Sequence, residues 1–354
     1  MERDLEFMGA LLQAKSPSSV ENEAIKVWDD FMAKLEGFSH AYSDNIKNSG
    51  WTIGHGPTKI LLSGHLDEIA LAVVNVDSSG YITLASMAGP DKKCLPGSKL
   101  LILTEKNTWV PGIIQKAPIH IEHSENTIDK VSGYSDIRLD IGVESKEEAE
   151  ELGVFTGCPV VFDRNIILEH GKNKVVGNAL DDKAAVYVIS QVAKSIANLP
   201  QEHELFEKYT IYFLAGTQEE SGLRGLSVAA HNINPDISID LDVTFACDGG
   251  LVSGKNSGEV YLGKGPVIEF GQDKNREIAI ELMKIASYNK IDFQRGFAKC
   301  GGTNTDVIQL YSKDCKTMLV SIPNMSMHTP NETCDWRDLS GAIKLLNEYL
   351  TGLK

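Results

Sequence analysis

The sequence is short of positive charge: 34 Lys and Arg stand against 49 Asp and Glu, a formal net charge of -15. A field of that sign repels a phosphate backbone, and no Lys/Arg cluster interrupts it, so nucleic acid is not an expected partner. Apolar runs of membrane-spanning length are lacking too. Residues 1–13 carry Glu2, Arg3, Asp4 and Glu6 ahead of a short apolar patch, the wrong order for a secretory signal. The six cysteines are widely spaced, with neither a CxxC pair nor a disulfide-scaffold pattern, as suits reduced thiols. A cytoplasmic protein with no membrane partner is therefore expected. There are four tryptophans (Trp28, Trp51, Trp109 and Trp336), and their scatter counts against a long glycan-binding cleft. Internal repeats and low-complexity tracts are absent as well.

What is present is the balance of a globular protein, with 42% hydrophobic and 23% charged residues. A chain of 354 residues exceeds the usual single core, which predicts a main domain with a smaller one. From Ser18 the apolar residues Ile25, Trp28, Phe31, Met32 and Leu35 recur at helical intervals, and Ser18 with Glu21 has capping-box spacing. Residues 59–63 form a continuous apolar run of the kind a doubly covered strand shows, ending at Gly64-His65-Leu66-Asp67. Between 69 and 162 short apolar segments alternate with turn residues, the texture of a β-rich insert, with one short helix where Ser145 and Glu148 have cap spacing. Beyond Val175 strands (209–215, 237–245, 317–322) alternate with helices (182–196, 277–288, 339–350), which predicts an α/β sheet covered on both faces. The polar stretch 199–208 reads as a surface connection. The expected architecture is a mixed-sheet catalytic domain covered by helices, residues 1–67 and 164–354, with an inserted small β-barrel-like domain at 68–163.

In an open α/β sheet, ligands bind beyond the carboxyl ends of the strands, so the informative residues follow each apolar run. Here those residues are of metal-ligand type: His65 and Asp67, Glu219 and Glu220, Asp242, and His328, with Asp181 and Asp182 where the VVGNAL loop turns into a helix. Singly, each has a plainer explanation. His-x-Asp is commonly a hydrogen-bonded histidine, Asp-Asp before a helix an N-cap, and Glu-Glu a solvated pair. Together they bring two histidines and several acids to one sheet edge, where the acids would repel one another unless cations neutralised them. Imidazole with carboxylate points to zinc, with cobalt or manganese as substitutes. The other histidines (His40, His55, His120, His123, His170, His203 and His231) read as structural or surface residues.

The stretches GHLDEIA, VVGNALDDKAA, GTQEESGLRGL, IDLDVT and CGGTNTD followed by SMHTP, with DIGVESKEEAEELGV in the insert, resemble in order those of the tetrahedral-aminopeptidase family. That family, metallopeptidase family 42, includes glutamyl and deblocking aminopeptidases among the dinuclear zinc exopeptidases. The resemblance implies two divalent metal ions, with Asp181 bridging them, His65 and Asp242 completing one site, and Glu220 and His328 the other. It implies Glu219 as general base, Asp67 orienting His65, and a cis bond between Asp181 and Asp182. It also implies cleavage of the first peptide bond of substrates with a free amino terminus, and self-association through the insert, from dimer to dodecamer. Gly301, Gly302 and Asn304 are the candidate substrate contacts, although the glycines also fit a plain tight turn. Relatives commonly carry Asp where this chain has Asn304, with Asp306 two residues later, and the connection from Asp182 to Glu219 is long for the family. Competing readings are an endoglucanase-type hydrolase using paired carboxylates without metal, a deacylase on the same metal pair, and a catalytically silent assembly protein.

Overall fold

The computed structural model describes residues 3–118, 120, 133–255, 258–297 and 301–353. The chain divides into two compact units, one of Met1–Asp67, Ile166–Met327 and Asn331–Lys354, the other of Glu68–Asn165 and His328–Pro330. In chain order the strands are β1 (Ser39–Ser43), β2 (Ser49–Ile53), β3 (Thr58–His65), β4 (Leu71–Val76), β5 (Ile82–Ser86), β6 (Lys99–Leu103), β7 (Trp109–Ile114), β8 (Leu139–Asp140) and β9 (Pro159–Phe162). They continue with β10 (Ile167–His170), β11 (Lys174–Gly177), β12 (Tyr209–Gly216), β13 (Ile237–Phe245), β14 (Val267–Glu269), β15 (Gln294–Gly296), β16 (Lys316–Asn324) and β17 (Glu332–Asp335).

The larger unit is built on an eight-stranded sheet in the order β1-β2-β12-β3-β13-β16-β14-β15. Its centre, β12-β3-β13-β16, is parallel, whereas β2 against β12 and β14 against β16 are antiparallel, so the sheet is mixed. Side-chain alternation sends Ile60 and Leu62 of β3 into one core and Leu61 into the other. Both faces are thus covered, which is why these strands read as unbroken apolar runs. The larger core surrounds the helix Leu180–Ile196, whose residues Leu180 to Ala193 are all buried. Its apolar residues pack all round, and buried polar ones are tied into the structure, as Lys183 Nζ donates to the Ala14 carbonyl at 2.6 Å. On the opposite face the helix Arg224–Ile233 contributes Leu226, Ala229, Ala230 and Ile233, and the helix Asn304–Tyr311 contributes Ile308. A separate three-stranded sheet, β10-β11-β17, carries Glu332 at its edge.

The smaller unit is a closed barrel, β4-β5-β8-β7-β6-β9, filled by Val73, Ile82, Leu84, Leu100, Ile102, Leu139, Val160 and Phe162. Closure removes the exposed edges that short strands would otherwise present. The short helix Lys146–Glu151 begins where expected, with Ser145 Oγ accepting from the Glu148 N–H at 3.2 Å. Buried inside this unit, Arg164 donates two hydrogen bonds to Glu68, at 2.6 and 2.5 Å.

Two local expectations fail. Residues 199–208 are not merely a polar connection: they contain the helix Glu204–Lys208, which buries Leu205 and Phe206 against the core. Their apolar pair is too short to register as a period. Ser18 and Glu21 do not form a capping box. The helix starts at Asn22, its N-cap Glu21 makes no side-chain cap bond, and both side chains are engaged elsewhere. No helix among the described residues is long and apolar enough to cross a membrane.

Candidate metal centre

β3 ends on His65, which is 1% exposed. Its backbone N–H donates to Asp182 Oδ2 at 3.1 Å, fastening the start of the long central helix to the end of the strand. Gly64 allows this approach, since a Cβ there would meet Asp182 Oδ2 at 3.1 Å and Ala185 Cβ at 3.2 Å. On the ring, Nδ1 lies 3.0 Å from the Asp67 carbonyl oxygen and 3.3 Å from Asp67 Oδ1. Nε2 lies 3.3 Å from Asp181 Oδ1 and 3.8 Å from Glu219 Oε2, and is buried with no hydrogen-bond partner. Asp67 thus engages one ring nitrogen and leaves the other facing carboxylates, the division of labour a ligating histidine needs.

The carboxylates come from separate segments. Asp181 and Asp182 open the central helix, both with non-helical dihedrals and joined by a cis peptide bond. The Asp181 N–H donates to Glu332 Oε2 at 2.7 Å. Asp182 is fully buried, and its Oδ1 has no hydrogen-bond partner. Glu219 and Glu220 follow β12, and Asp242 lies on β13 with Oδ1 accepting from the Val243 N–H at 2.7 Å. Two groups of ligand-type atoms result, His65 with Asp182 and Asp242, and His65 with Asp181 and Glu220, each within 4.8 Å internally. His65 belongs to both.

Burial is the first cause that pushes the acids of this cluster up, and their mutual repulsion adds to it. Glu219 is raised to about 8 by burial, against the pull of His65, with Asp242, Asp181 and Asp67 raising it further. Burial likewise holds Asp182, Glu220 and Asp242 well above the carboxylate range, with Asp242, Asp181 and Asp181 respectively as the next cause. For His65 burial opposes charge, but Glu219, Asp181 and Asp67 together outweigh it and raise its pKa. Crowded buried anions around an imidazole whose outer nitrogen lacks a hydrogen-bond partner fit a divalent cation, which relieves the repulsion and uses that nitrogen. The donor set, nitrogen with carboxylate oxygen and no thiolate, fits zinc, cobalt or manganese.

Of the residues singled out in the sequence, the structure brings together His65, Asp67, Asp181, Glu219, Glu220 and Asp242. His328 groups with the barrel unit, in a left-handed conformation (φ 63°) with Nδ1 2.9 Å from the Gly89 carbonyl oxygen. It is in neither ligand group found among the described residues. Asn304 opens the helix Asn304–Tyr311, fully buried, with neither amide atom hydrogen-bonded. Gly301 takes φ 88°, the conformation glycine favours. His123 and Cys300 lie outside the described residues. Asp182, singled out in the sequence as a ligand-type residue but not in the ligand set that the resemblance implies, joins His65 and Asp242 in one group, and sequence reasoning missed Glu332 and Glu21 as supports. Asp182 was visible in the Asp-Asp pair, whereas Glu332 had no local signal.

The helix-covered mixed sheet with an inserted closed barrel is a zinc-exopeptidase-like fold, and it carries a histidine–carboxylate cluster of metal-ligand type. The chain belongs to the M42 glutamyl aminopeptidase family, whose model matches residues 50–345. It is 31% identical to a lysyl aminopeptidase of Pyrococcus furiosus over 361 residues, covering 99% of this chain and 98% of that one. Its fold is similar to the TET1 peptidase of Pyrococcus horikoshii (TM-score 0.85, 29% identity, 99% of each chain), described as assembling into a tetrahedron or a large octahedral shell. It is also similar to an aminopeptidase of the archaeon Desulfurococcus kamchatkensis (TM-score 0.88, 26% identity, 99% of this chain and 94% of that one).

Proposed function

We propose that this chain is a cytoplasmic, metal-dependent aminopeptidase that removes the first residue of short peptides. The observation that carries the reading is the pair of buried ligand groups sharing His65. As the family resemblance implies, Asp181, His65, Asp242, Glu220 and His328 would hold two divalent ions, zinc first among the candidates; of these, His65, Asp181, Asp242 and Glu220 fall in the two ligand groups, beside Asp182. When bound, such ions supply the Lewis acidity that makes a water nucleophilic at neutral pH and polarises the scissile carbonyl. The protein's own residues do the rest. Glu219, its Oε2 3.8 Å from His65 Nε2, takes the proton from the attacking water and returns it to the leaving amine. Asp67 keeps His65 in the tautomer that presents Nε2. The restriction to the first peptide bond is what the family resemblance implies, a free amino group of the substrate binding close to the metal pair. By likeness to the PhTET1-12s structure, described as a dodecamer, we expect self-association, up to a dodecamer.

The test is hydrolysis of short peptides with free and acetylated amino termini by chelated protein, with and without restored zinc or cobalt. Cleavage of free termini only, and only with metal, is expected. Cleavage of acetylated peptides would point to a deacylase or endopeptidase. Metal-independent turnover of glycans would point to the carboxylate glycosidase, and metal binding without turnover to a silent assembly protein.

A further inference from the structure

Glu219 and Glu220 sit on a turn whose successive backbone amides all end on side chains from earlier in the chain. The Thr217 N–H donates to Asn48 Oδ1 at 3.0 Å, and the Gln218 N–H to Glu21 Oε1 at 3.2 Å. The N–H groups of Glu219 and Glu220 donate to Asp67 Oδ1 and Oδ2 at 2.9 and 3.1 Å. Gln218 is left-handed (φ 54°), a conformation that costs a non-glycine residue about 1 kcal/mol. Successive backbone N–H groups that converge on acceptors make a ready-made site for an anion. Here two of the protein's own carboxylates fill it.

Asp67 is already tied to His65. Glu21 has no such task. It is fully buried, stands at the N-cap of its helix without capping it, and uses one oxygen for two amides, Ser19 N–H at 2.7 Å and Gln218 N–H. Its other oxygen is buried with no hydrogen-bond partner. The neighbouring Ser18 reaches the same network, its Oγ donating to Asp67 Oδ2 at 2.5 Å. A buried carboxylate is an expensive way to begin a helix, and a serine or asparagine would cap it better.

We infer that Glu21 is a positioning residue for the hydrolytic reaction: by holding the Gln218 amide it sets where the Glu219 carboxylate points, without touching metal or substrate itself. The inference rests on the reading of Glu219 as general base. Displacing such a group by about 1 Å costs roughly 100-fold in rate. The fully metal-loaded protein is assayed with a free-terminus peptide as wild type, Glu21→Ala, Glu21→Gln, Ser18→Ala and Glu219→Gln. We expect Glu21→Ala to lose about 10- to 100-fold in kcat, with KM and metal content unchanged. Glu21→Gln, which keeps an acceptor oxygen, should recover most of that loss, and Ser18→Ala should show a smaller fall in kcat. If Glu21→Ala does not fold, Glu21→Asp, which keeps the charge but withdraws the oxygen by one methylene, replaces it with the same expected split. Wild-type kcat in Glu21→Ala, a loss confined to KM, a loss matched by lost metal, or no recovery with Gln would each overturn the inference. Glu219→Gln separates the two claims: if it remains active, the base is misassigned; if it is dead while Glu21→Ala is unimpaired, only the positioning role fails.

Discussion

Two buried acidic arrangements, one in each unit, are handled in opposite ways. In the barrel unit Glu68 is answered by Arg164 through two short hydrogen bonds, with the side chains only 3% and 5% exposed. In the larger unit Asp181, Asp182, Glu219, Glu220 and Asp242 are gathered around one histidine, and burial with mutual repulsion lifts their pKa values. The first arrangement is complete within the chain, and the second is built to be completed by cations from outside. Buried charge in the first arrangement serves the fold, and in the second it suits chemistry.

Ways to break that contrast differ in size. Glu219→Gln removes the proposed base while leaving the ligand groups in place; kcat should fall about 1,000-fold with metal content near normal, measured by peptide hydrolysis and elemental analysis. Arg164→Met strands Glu68 without a counter-charge and should destabilise the protein by about 3–5 kcal/mol in denaturant unfolding. His65→Ala removes the residue common to both ligand groups and should lower bound metal from about two equivalents per chain to about one or fewer. Unchanged metal content would remove His65 from the ligand set.

The smallest effect is in pH. Glu219 and Asp240 are each raised to about 8, by burial first, and Asp338 to about 7, also by burial first. A raised folded-state pKa means that the native state binds the proton more tightly. The stability these groups contribute is therefore fully present below the unfolded value of about 4 and is lost as pH rises through 7 to 8. Chelated protein should show a Tm that declines from pH 5 to pH 8. Metal should lessen the decline, because Glu219 lies among the ligands whose protons a cation replaces, whereas Asp338 will still titrate. A flat Tm in the chelated protein would show that these acids are not held protonated.

The parallel strands were legible because burial on both faces leaves apolar runs, and the site residues were legible because His65, Glu219 and Glu220 stand at or just beyond the ends of such runs, Asp242 within one and Asp181 at the helix start. His65, Glu219 and Asp242 could be found from position alone. Glu332 could not: it holds the Asp181 amide from 151 residues away. Glu21 and Ser18 were misleading, since their spacing imitates a helix cap while their side chains turn to Asp67 and Gln218. Short strands such as β1, β14 and β15 escaped notice because three to five residues are too few to show a period. Leu205 and Phe206 were hidden in a polar stretch because two residues suffice to dock a helix of five.

Titrating zinc or cobalt into chelated protein, while following hydrolysis of a free-terminus peptide, tests the central claim most directly. The account predicts no activity without metal and saturation at about two equivalents per chain. Full turnover in the chelated protein, or metal binding with no gain in hydrolysis, would contradict it.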